Sequence, residues 1–256
     1  MFQYAVARHL AYLQNDQLKL DLTGFREYTL RSYHLNPLNI IEQVATDDEI
    51  TYLRNLHYVN ERHFHFNPAI LNLGTNVYLE GYWQSEKYFK NIEAVIRNEF
   101  KAKCPPEGEN ARLANQIVNC DAVAMHVRRG DYAANPVTNQ VHGLCQLDYY
   151  YRAVSIIANR VSQPCFYVFS DDWGWVRQNV SLQFPMTIIT HNANWPHEDL
   201  RLMSLCKYHI IANSTFSWWG AWLADYPGQV VIAPQKWFNA PGKYTGDLFP
   251  ENWILI

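Results

Sequence analysis

Residues 122–131 read AVAMHVRRGD, an unbroken apolar run that ends in an imidazole, two guanidiniums and a carboxylate. A continuous apolar run is typical of a parallel strand that helices cover on both faces. The same pattern recurs downstream, where short apolar runs alternate with segments of helical periodicity, and this alternation predicts an α/β half with a parallel sheet. The predicted strands are 122–127, 165–169, 186–189, 210–212 and 230–233, and the predicted helices begin near Asp148, Asp171, Glu198 and Phe216.

The amino-terminal part predicts shorter and less regular elements. Apolar residues between Phe2 and Leu13 recur at intervals of three and four, which is typical of a helix with one buried face. Thr46-Asp-Asp-Glu49 is a capping box that predicts a helix through Leu56. Three further predictions are a strand over residues 18–22, a strand over 77–82, and a helix after Ser85 that buries Phe89, Ile92, Ile96 and Phe100.

A segment with two prolines and a glycine separates these two patterns. Residues 101–110 read KAKCPPEGEN, and consecutive prolines interrupt both helices and central strands. The segment predicts a linker between one domain over residues 1–105 and a second over residues 106–256. In open α/β sheets ligands bind beyond the carboxyl ends of the strands, so we expect the loops there to line the site.

Composition excludes several classes of protein. The 256 residues are 48% apolar and 18% charged, which suits one or two packed cores and excludes a disordered or fibrous chain. The net charge of −3 gives no broad electrostatic attraction for nucleic acid or an anionic membrane, so any anion site is local. Nine Trp and seventeen Tyr supply flat apolar faces beside polar groups, a surface that suits sugars and nucleobases.

The cysteines and the amino-terminal residues indicate the cellular compartment of the protein. Five scattered cysteines, without a C-x-x-C pair, predict neither a disulfide framework nor a zinc site and fit a reducing cytoplasm. The first apolar run is broken by Arg8 and His9, so it resembles neither a signal peptide nor a membrane span. Since no later apolar run reaches about eighteen residues, we expect a cytoplasmic protein with at most peripheral membrane association.

The loop after residues 122–127 carries charged side chains where a ligand is expected. His126 and Arg128 lie two residues apart and face the same side of an extended segment, whereas Arg129 points elsewhere. A guanidinium keeps its charge and offers a planar pair of donors that matches a phosphate. The alternative is an Arg–Asp ion pair that only fixes the loop, and the residues alone leave both interpretations open.

Other polar residues precede the predicted helices. Ser170-Asp171-Asp172 could bind a ribose through its carboxylates or simply cap the next helix. Asn213-Ser-Thr-Phe-Ser217 offers hydroxyls and backbone N–H groups that suit a pyrophosphate, and capping alone would need only one such residue. Asp199 is either an ordinary first-turn residue or an acceptor for two donors on a guanine edge.

Four motifs follow one another along the chain: HVRRGDY at 126–132, HGLCQLDYY at 142–150, YVFSDD at 167–172 and EDLRLMSLCKYHIIANSTFSWWGAWLA at 198–224. Together they resemble the bacterial α-1,2-fucosyltransferases, with similarity over the whole chain. The resemblance implies an α/β fold of GT-B type with two Rossmann-like domains, the amino-terminal one on the acceptor side and the carboxyl-terminal one binding GDP-fucose. It implies inverting transfer of L-fucose to the 2-hydroxyl of a galactose-terminated glycan acceptor in surface polysaccharide or O-antigen synthesis.

The resemblance also implies roles for individual residues. Arg128 corresponds to the arginine that grips the donor β-phosphate, Asp199 to the residue that reads guanine, and Asp131 is the candidate for the catalytic base. Because Arg128 and backbone N–H groups would neutralise the leaving phosphate, the resemblance implies no metal and no cofactor beside the co-substrate GDP-fucose. The other donor-binding positions are His126 and Arg129 beside the nucleotide, Asp171 and Asp172 near the ribose, and Asn213, Ser214, Thr215 and Ser217 around the diphosphate.

One part of the family pattern is absent. Relatives carry a short apolar strand and a Gly-Gly-x-Gly-Asn-Gln loop before Met-Phe-Gln-Tyr, whereas this chain begins with that tetrapeptide at Met1. We therefore expect an incomplete amino-terminal domain, from an incorrect start or a fragment. The alternative function is a truncated, non-catalytic remnant that binds nucleotide or glycan. An ordinary Rossmann oxidoreductase is disfavoured, because no G-x-G-x-x-G follows any predicted strand.

Overall fold

The computed structural model describes residues 1–26 and 32–256, and these residues form two compact units. Unit 1 is Met1–Lys103 with Lys243–Pro250, and unit 2 is Cys104–Gly242 with Glu251–Ile256. The first boundary lies inside the proline-containing segment that predicts a linker.

A late segment of the chain returns to unit 1, which differs from the predicted contiguous domains 1–105 and 106–256. The segment is Lys243–Pro250. Within it, Asp247 accepts a hydrogen bond from the Phe66 N–H at 2.9 Å and pairs with Lys87 at 2.6 Å. These polar contacts, which apolar periodicity does not report, explain why the segment belongs to unit 1.

Unit 1 combines helices with a small parallel sheet. The capping box is confirmed, because the Thr46 hydroxyl accepts from the Glu49 N–H at 3.2 Å and the Glu49 carboxylate accepts from the Thr46 N–H at 2.9 Å. The pair β1 and β2 is parallel. The elements are α1 (Phe2–Gln14), α2 (Asp47–Leu56), β1 (Tyr58–Asn60), β2 (Tyr78–Glu80) and α3 (Glu93–Glu99), with 3-10 turns at Thr23–Phe25, Pro68–Asn72, Glu86–Tyr88 and Lys90–Ile92.

The strand predicted over residues 18–22 is wrong. In the described part of this segment, Leu20 makes only an isolated parallel bridge with Val44. Asp21 accepts hydrogen bonds from the Thr23 N–H at 2.7 Å and from the Thr23 hydroxyl at 2.6 Å. Such a local side-chain turn competes with a sheet ladder, and a 3-10 turn follows instead.

The single helix predicted after Ser85 is also wrong, because the structure has two 3-10 turns and a short α-helix there. Two 3-10 turns precede α3, and Phe89 between them has a non-helical backbone conformation, with φ −142° and ψ 7°. The burial prediction is nevertheless confirmed, since the four predicted apolar side chains are all at most 4% exposed.

Unit 2 is built on six parallel strands. Their order across the sheet is β5-β4-β3-β6-β7-β8, which corresponds to the 3-2-1-4-5-6 order of a Rossmann fold. The direction of that order reverses between β3 and β6, and ligands bind in the crevice at such a switch point. The elements are α4 (Gly108–Val118), β3 (Asp121–Val127), α5 (Gly130–Ala134), α6 (Pro136–His142), α7 (Leu147–Ala158), β4 (Pro164–Ser170), α8 (Trp173–Asn179), β5 (Met186–Ile189), α9 (Pro196–Leu205), β6 (Tyr208–Ile210), α10 (Thr215–Leu223), β7 (Val230–Ala233) and β8 (Ile254–Leu255).

Alternate residues of β3 pack on opposite faces of this sheet. Val123 and Met125 join an apolar cluster with residues of α7 and α8, whereas Ala122 and Ala124 join a second cluster with residues of α4 and α9. Helices therefore cover both faces, as the continuous apolar runs predict. The predicted α/β class is confirmed, since both units contain parallel sheets. Across residues 1–26 and 32–256, no helix has the length and apolar character needed to cross a bilayer.

Candidate active site

The Arg128 guanidinium lies between two carboxylates at the carboxyl end of β3. Its Nη1 pairs with Asp171 Oδ2 at 2.5 Å, and its Nη2 pairs with Asp131. The guanidinium carbon also lies 4.9 Å from the Tyr132 ring centroid, and the side chain is only 12% exposed. The Arg–Asp ion pair left open by the sequence is therefore present. It holds a desolvated cation at the switch point of the sheet, where it presents a ready partner for an anion.

Arg129 points toward α8, away from Arg128. Its guanidinium stacks on the Trp175 ring at 3.9 Å, and its Nε lies 3.3 Å from Asp172 Oδ2. This divergence from Arg128 agrees with the alternation expected of an extended segment. The stacking and the ion pair give Arg129 a role in fixing the loop against α8.

The adjacent carboxylates of Asp171 and Asp172 contact different groups of the loop after β3. Asp171 Oδ1 accepts a hydrogen bond from the Arg129 N–H at 2.8 Å. Asp172 is the N-cap of α8 and accepts from the Trp175 N–H at 3.0 Å, so the capping alternative holds for this residue. The structure therefore brings these two aspartates to the Arg128 loop, but through contacts with protein.

His126 lies beneath this loop with an unpaired ring nitrogen. The side chain is 5% exposed, and its ring lies 5.8 Å from that of Phe216 at the start of α10. Among the residues that the structure describes, its Nδ1 has no hydrogen-bond partner. Burial lowers the pKa of His126 to about 3, with a further lowering from the charge on Arg128, so the imidazole is neutral at physiological pH. The contact with Phe216 brings the β3 and β6 loops together across the switch point.

The start of α10 offers backbone donors. Ser214 is the N-cap but makes no side-chain capping bond, and the Ser214 and Thr215 side chains are half-buried. The N–H groups of the first turn therefore lack the usual hydroxyl acceptor. Ser217 differs from the predicted pyrophosphate site, because it is 1% exposed and its hydroxyl donates to the carbonyls of Ala212 at 3.4 Å and Ser214 at 3.1 Å.

Asn213 also differs from the predicted pyrophosphate site. Its Nδ2 donates to the carbonyls of His142 at 2.9 Å and Trp237 at 3.2 Å, and its Oδ1 accepts from Cys145 Sγ at 3.5 Å. With 3% exposure, the amide joins three segments of unit 2 instead of facing a ligand. The physical reason is that a buried amide must satisfy its own donors and acceptor.

Asp199 lies in the first turn of α9, in a polar network that does not include the contacts of Arg128 described above. Its Oδ1 accepts a hydrogen bond from Asn192 Nδ2 at 2.9 Å, and Asn192 in turn bonds to Asn110 of α4 at 2.9 Å. Burial raises the pKa of Asp199 to about 6, and the Glu198 charge adds to this effect while the Asn192 hydrogen bond opposes it. A desolvated carboxylate with one amide partner retains acceptor capacity for a ligand.

Sequence reasoning missed Asn110 and Asn192. Asn192 is 3% exposed and follows β5, whereas Asn110 lies in the segment that predicts a linker. The available signal was the position of Asn192 after a predicted strand, where ligand-site residues are expected. Within residues 1–26 and 32–256, three or more His, Cys, Asp or Glu side chains nowhere form a group that could hold a metal ion.

Comparison with known proteins gives a consistent family assignment. The model of glycosyl transferase family 11 matches residues 34–256. Over its full length the chain is 33% identical to an alpha-1,2-colitosyltransferase of Escherichia coli, with 94% of that protein covered. It is 38% identical to the O-antigen biosynthesis glycosyltransferase WbnK of the same species, over 100% of this chain and 96% of that protein. A galactoside alpha-(1,2)-fucosyltransferase 2 of Bos taurus is 31% identical, over 67% of this chain and 57% of that protein.

Proposed function

The chain belongs to glycosyl transferase family 11, and on this premise we propose that it transfers L-fucose from GDP-fucose to the 2-hydroxyl of a terminal β-galactoside, with inversion. The observation that carries the proposal is the desolvated Arg128 guanidinium at the switch point of the unit 2 sheet. Surface polysaccharide or O-antigen synthesis at the cytoplasmic side of a membrane is the process that we propose, by analogy with the O-antigen glycosyltransferase relative.

Arg128 and α10 would stabilise the leaving group. As the fucosyl C–O bond lengthens, negative charge grows on the β-phosphate of GDP. The planar guanidinium can form two parallel hydrogen bonds to phosphate oxygens, and the uncapped N–H groups at the start of α10 supply further donors beside Ser214 and Thr215. Positive groups that are already in place stabilise this charge without solvent reorganisation.

Asp131 is the carboxylate that we propose as base for the acceptor hydroxyl. In the structure it pairs with Arg128 Nη2, on the same guanidinium that would bind the phosphate. Binding of a diphosphate by Arg128 would therefore release Asp131 and leave its carboxylate able to accept a proton. Donor binding and base activation would thus be coupled through one side chain.

Asp199 would read the guanine edge, since a carboxylate can accept both the N1–H and the exocyclic N–H of that base. We expect GDP-fucose binding to weaken about tenfold per pH unit below the Asp199 pKa of about 6, because only the ionised carboxylate accepts both donors. The measurement is calorimetric titration of GDP-fucose between pH 5 and 8. Unlike free GDP, this ligand has no phosphate that titrates in the range.

The matched control for this pH dependence is Asp199→Asn. The variant should bind GDP-fucose weakly at every pH and show a flat profile. A wild-type affinity that is equally flat from pH 5 to pH 8 would contradict the role of Asp199 as the guanine reader.

A second donor is favoured by one relative. Colitose differs from L-fucose by the loss of the 3-hydroxyl, and the full-length similarity to an alpha-1,2-colitosyltransferase makes GDP-colitose a specific alternative substrate. The purified protein should be incubated with each of these GDP-sugars and a panel of galactosides, and the product linkage determined by NMR. Fucosyl transfer to the 2-hydroxyl supports the proposal, whereas colitosyl transfer alone would replace it. Nucleotide binding without any product would instead indicate the non-catalytic alternative.

We expect transfer to persist after treatment with EDTA. The adjacent acidic residues Asp171 and Asp172 pair with Arg128 and Arg129 respectively, and the charge stabilisation is assigned to Arg128. Initial rates should be compared for untreated, chelated and Mn²⁺-supplemented protein. Loss of activity on chelation, with recovery on addition of Mn²⁺, would show that a metal performs the role proposed for Arg128.

A further inference from the structure

The carboxylate of Asp171 bridges the loops after two neighbouring strands. It follows β4, and its Oδ2 pairs with Arg128 Nη1 at 2.5 Å. Its Oδ1 accepts a hydrogen bond from the Arg129 N–H at 2.8 Å. One oxygen therefore holds the guanidinium and the other holds the backbone of the same loop, an arrangement that fixes both the position and the direction of the Arg128 side chain.

Gly130 makes this close approach possible. A Cβ at position 130 would lie 2.3 Å from Asp171 Oδ2 and 2.9 Å from its Cγ, distances that folded proteins do not tolerate. Any larger residue would therefore push the carboxylate away from Arg128. The requirement for glycine here comes from space beside Asp171.

The two carboxylates on Arg128 are not equivalent. Asp171 is held by a second hydrogen bond to the Arg129 N–H, whereas Asp131 lies on α5, a helix of only five residues. An incoming phosphate would displace the less constrained Asp131 and leave Asp171 in place. We propose that Asp171 is a positioning residue that holds Arg128 for the donor diphosphate, and that it does not bind the ribose. The inference rests on the proposed function and deepens it.

A double-mutant cycle with Asp171→Asn and Arg128→Lys tests this role. Asparagine keeps the Oδ1 acceptor for the Arg129 N–H but places an NH₂ group against Arg128. We expect Asp171→Asn to lower kcat about tenfold to a hundredfold, with a smaller change in the KM for GDP-fucose. In the Arg128→Lys background the same substitution should change kcat less than about threefold, because the two residues act as one unit. Equal losses in both backgrounds would overturn the positioning role.

Two further variants separate positioning from misfolding. Gly130→Ala should reproduce the kcat loss of Asp171→Asn and add little to it, while the melting temperature shows that each protein is folded. Asp172→Asn is the matched control, since this neighbouring carboxylate pairs with Arg129 and should show no coupling to Arg128→Lys. If Gly130→Ala keeps the wild-type kcat, Asp171 does not act through this contact.

Deoxyribose analogues test the ribose alternative directly. The positioning role predicts that Asp171→Asn weakens binding of GDP, 2′-deoxy-GDP and 3′-deoxy-GDP by the same factor. A loss that disappears with either deoxy analogue would assign Asp171 to the missing ribose hydroxyl and overturn the inference. If the wild-type protein binds no GDP, the proposed function fails and this inference fails with it. Wild-type binding with uncoupled losses rejects the inference alone.

Discussion

Arg128→Lys is expected to lower kcat for fucosyl transfer about a hundredfold, equivalent to about 3 kcal/mol, although the charge is retained. An ammonium is a point charge and cannot form the two parallel hydrogen bonds that a guanidinium makes to phosphate. It also cannot bridge Asp131 and Asp171 as the planar guanidinium does. The measurement is steady-state kinetics at saturating acceptor, with kcat and the KM for GDP-fucose determined separately.

The control for this substitution is Arg152→Lys on α7. Arg152 is 59% exposed and makes a long ion pair, 3.6 Å, with Asp148 one helical turn earlier. Exposed pairs of this kind contribute little, so kcat should be unchanged. If Arg128→Lys retains near wild-type turnover, the assignment of Arg128 to the leaving phosphate is wrong.

Asn213→Ala should lower the free energy of unfolding by about 3 kcal/mol, since it removes a buried amide together with the hydrogen bonds that this amide makes. The affected groups include the carbonyls of His142 and Trp237, both bonded to the Asn213 amide. The change should be measured by urea denaturation of the purified variant. A ligand-binding role alone would instead lower donor affinity and leave the unfolding free energy unchanged.

Asn194→Ala provides the matched comparison for this prediction. Asn194 is an exposed asparagine in the loop before α9, so its replacement should alter stability by less than about 0.5 kcal/mol. Equal stabilities for Asn213→Ala and Asn194→Ala would show that the contacts of the buried amide do not stabilise the protein.

Asn213 also shows where prediction from sequence stops. The strands β3, β4, β5 and β7 and the capping box follow from local patterns, because apolar continuity and residue spacing determine them. The strand predicted over 210–212 is wrong in position, since β6 is Tyr208–Ile210. The amide of Asn213 was predicted to face a diphosphate, but its partners lie about 70 and 24 positions away in the chain. Local spacing carries no information about such partners. The same reason hides Asn110 and Asn192, which meet only through the packing of α4 against the β5 loop.

Some short strands were not predicted, for a different reason. The strands β1 and β8 contain three and two residues, too few for alternation to be recognised without a longer apolar run around them. The strand predicted over 18–22 had the right alternation, but the Asp21 turn interrupts it. Regular patterns therefore predict the central strands of unit 2. The polar contacts of the candidate site become visible only once the fold is known, because they join residues that are distant in the sequence.

The return of residues 243–250 to unit 1 matters for domain exchange between relatives. The edge strand β8 belongs to unit 2 but follows this excursion, and it pairs with β7 through the Ile256 N–H and the Ala233 carbonyl at 3.1 Å. A chimera with a single crossover at residue 103 would therefore import a foreign 243–250 segment into the native unit 1. Transplanting unit 2 intact requires two grafts, 104–242 and 251–256, with the intervening segment kept from the recipient.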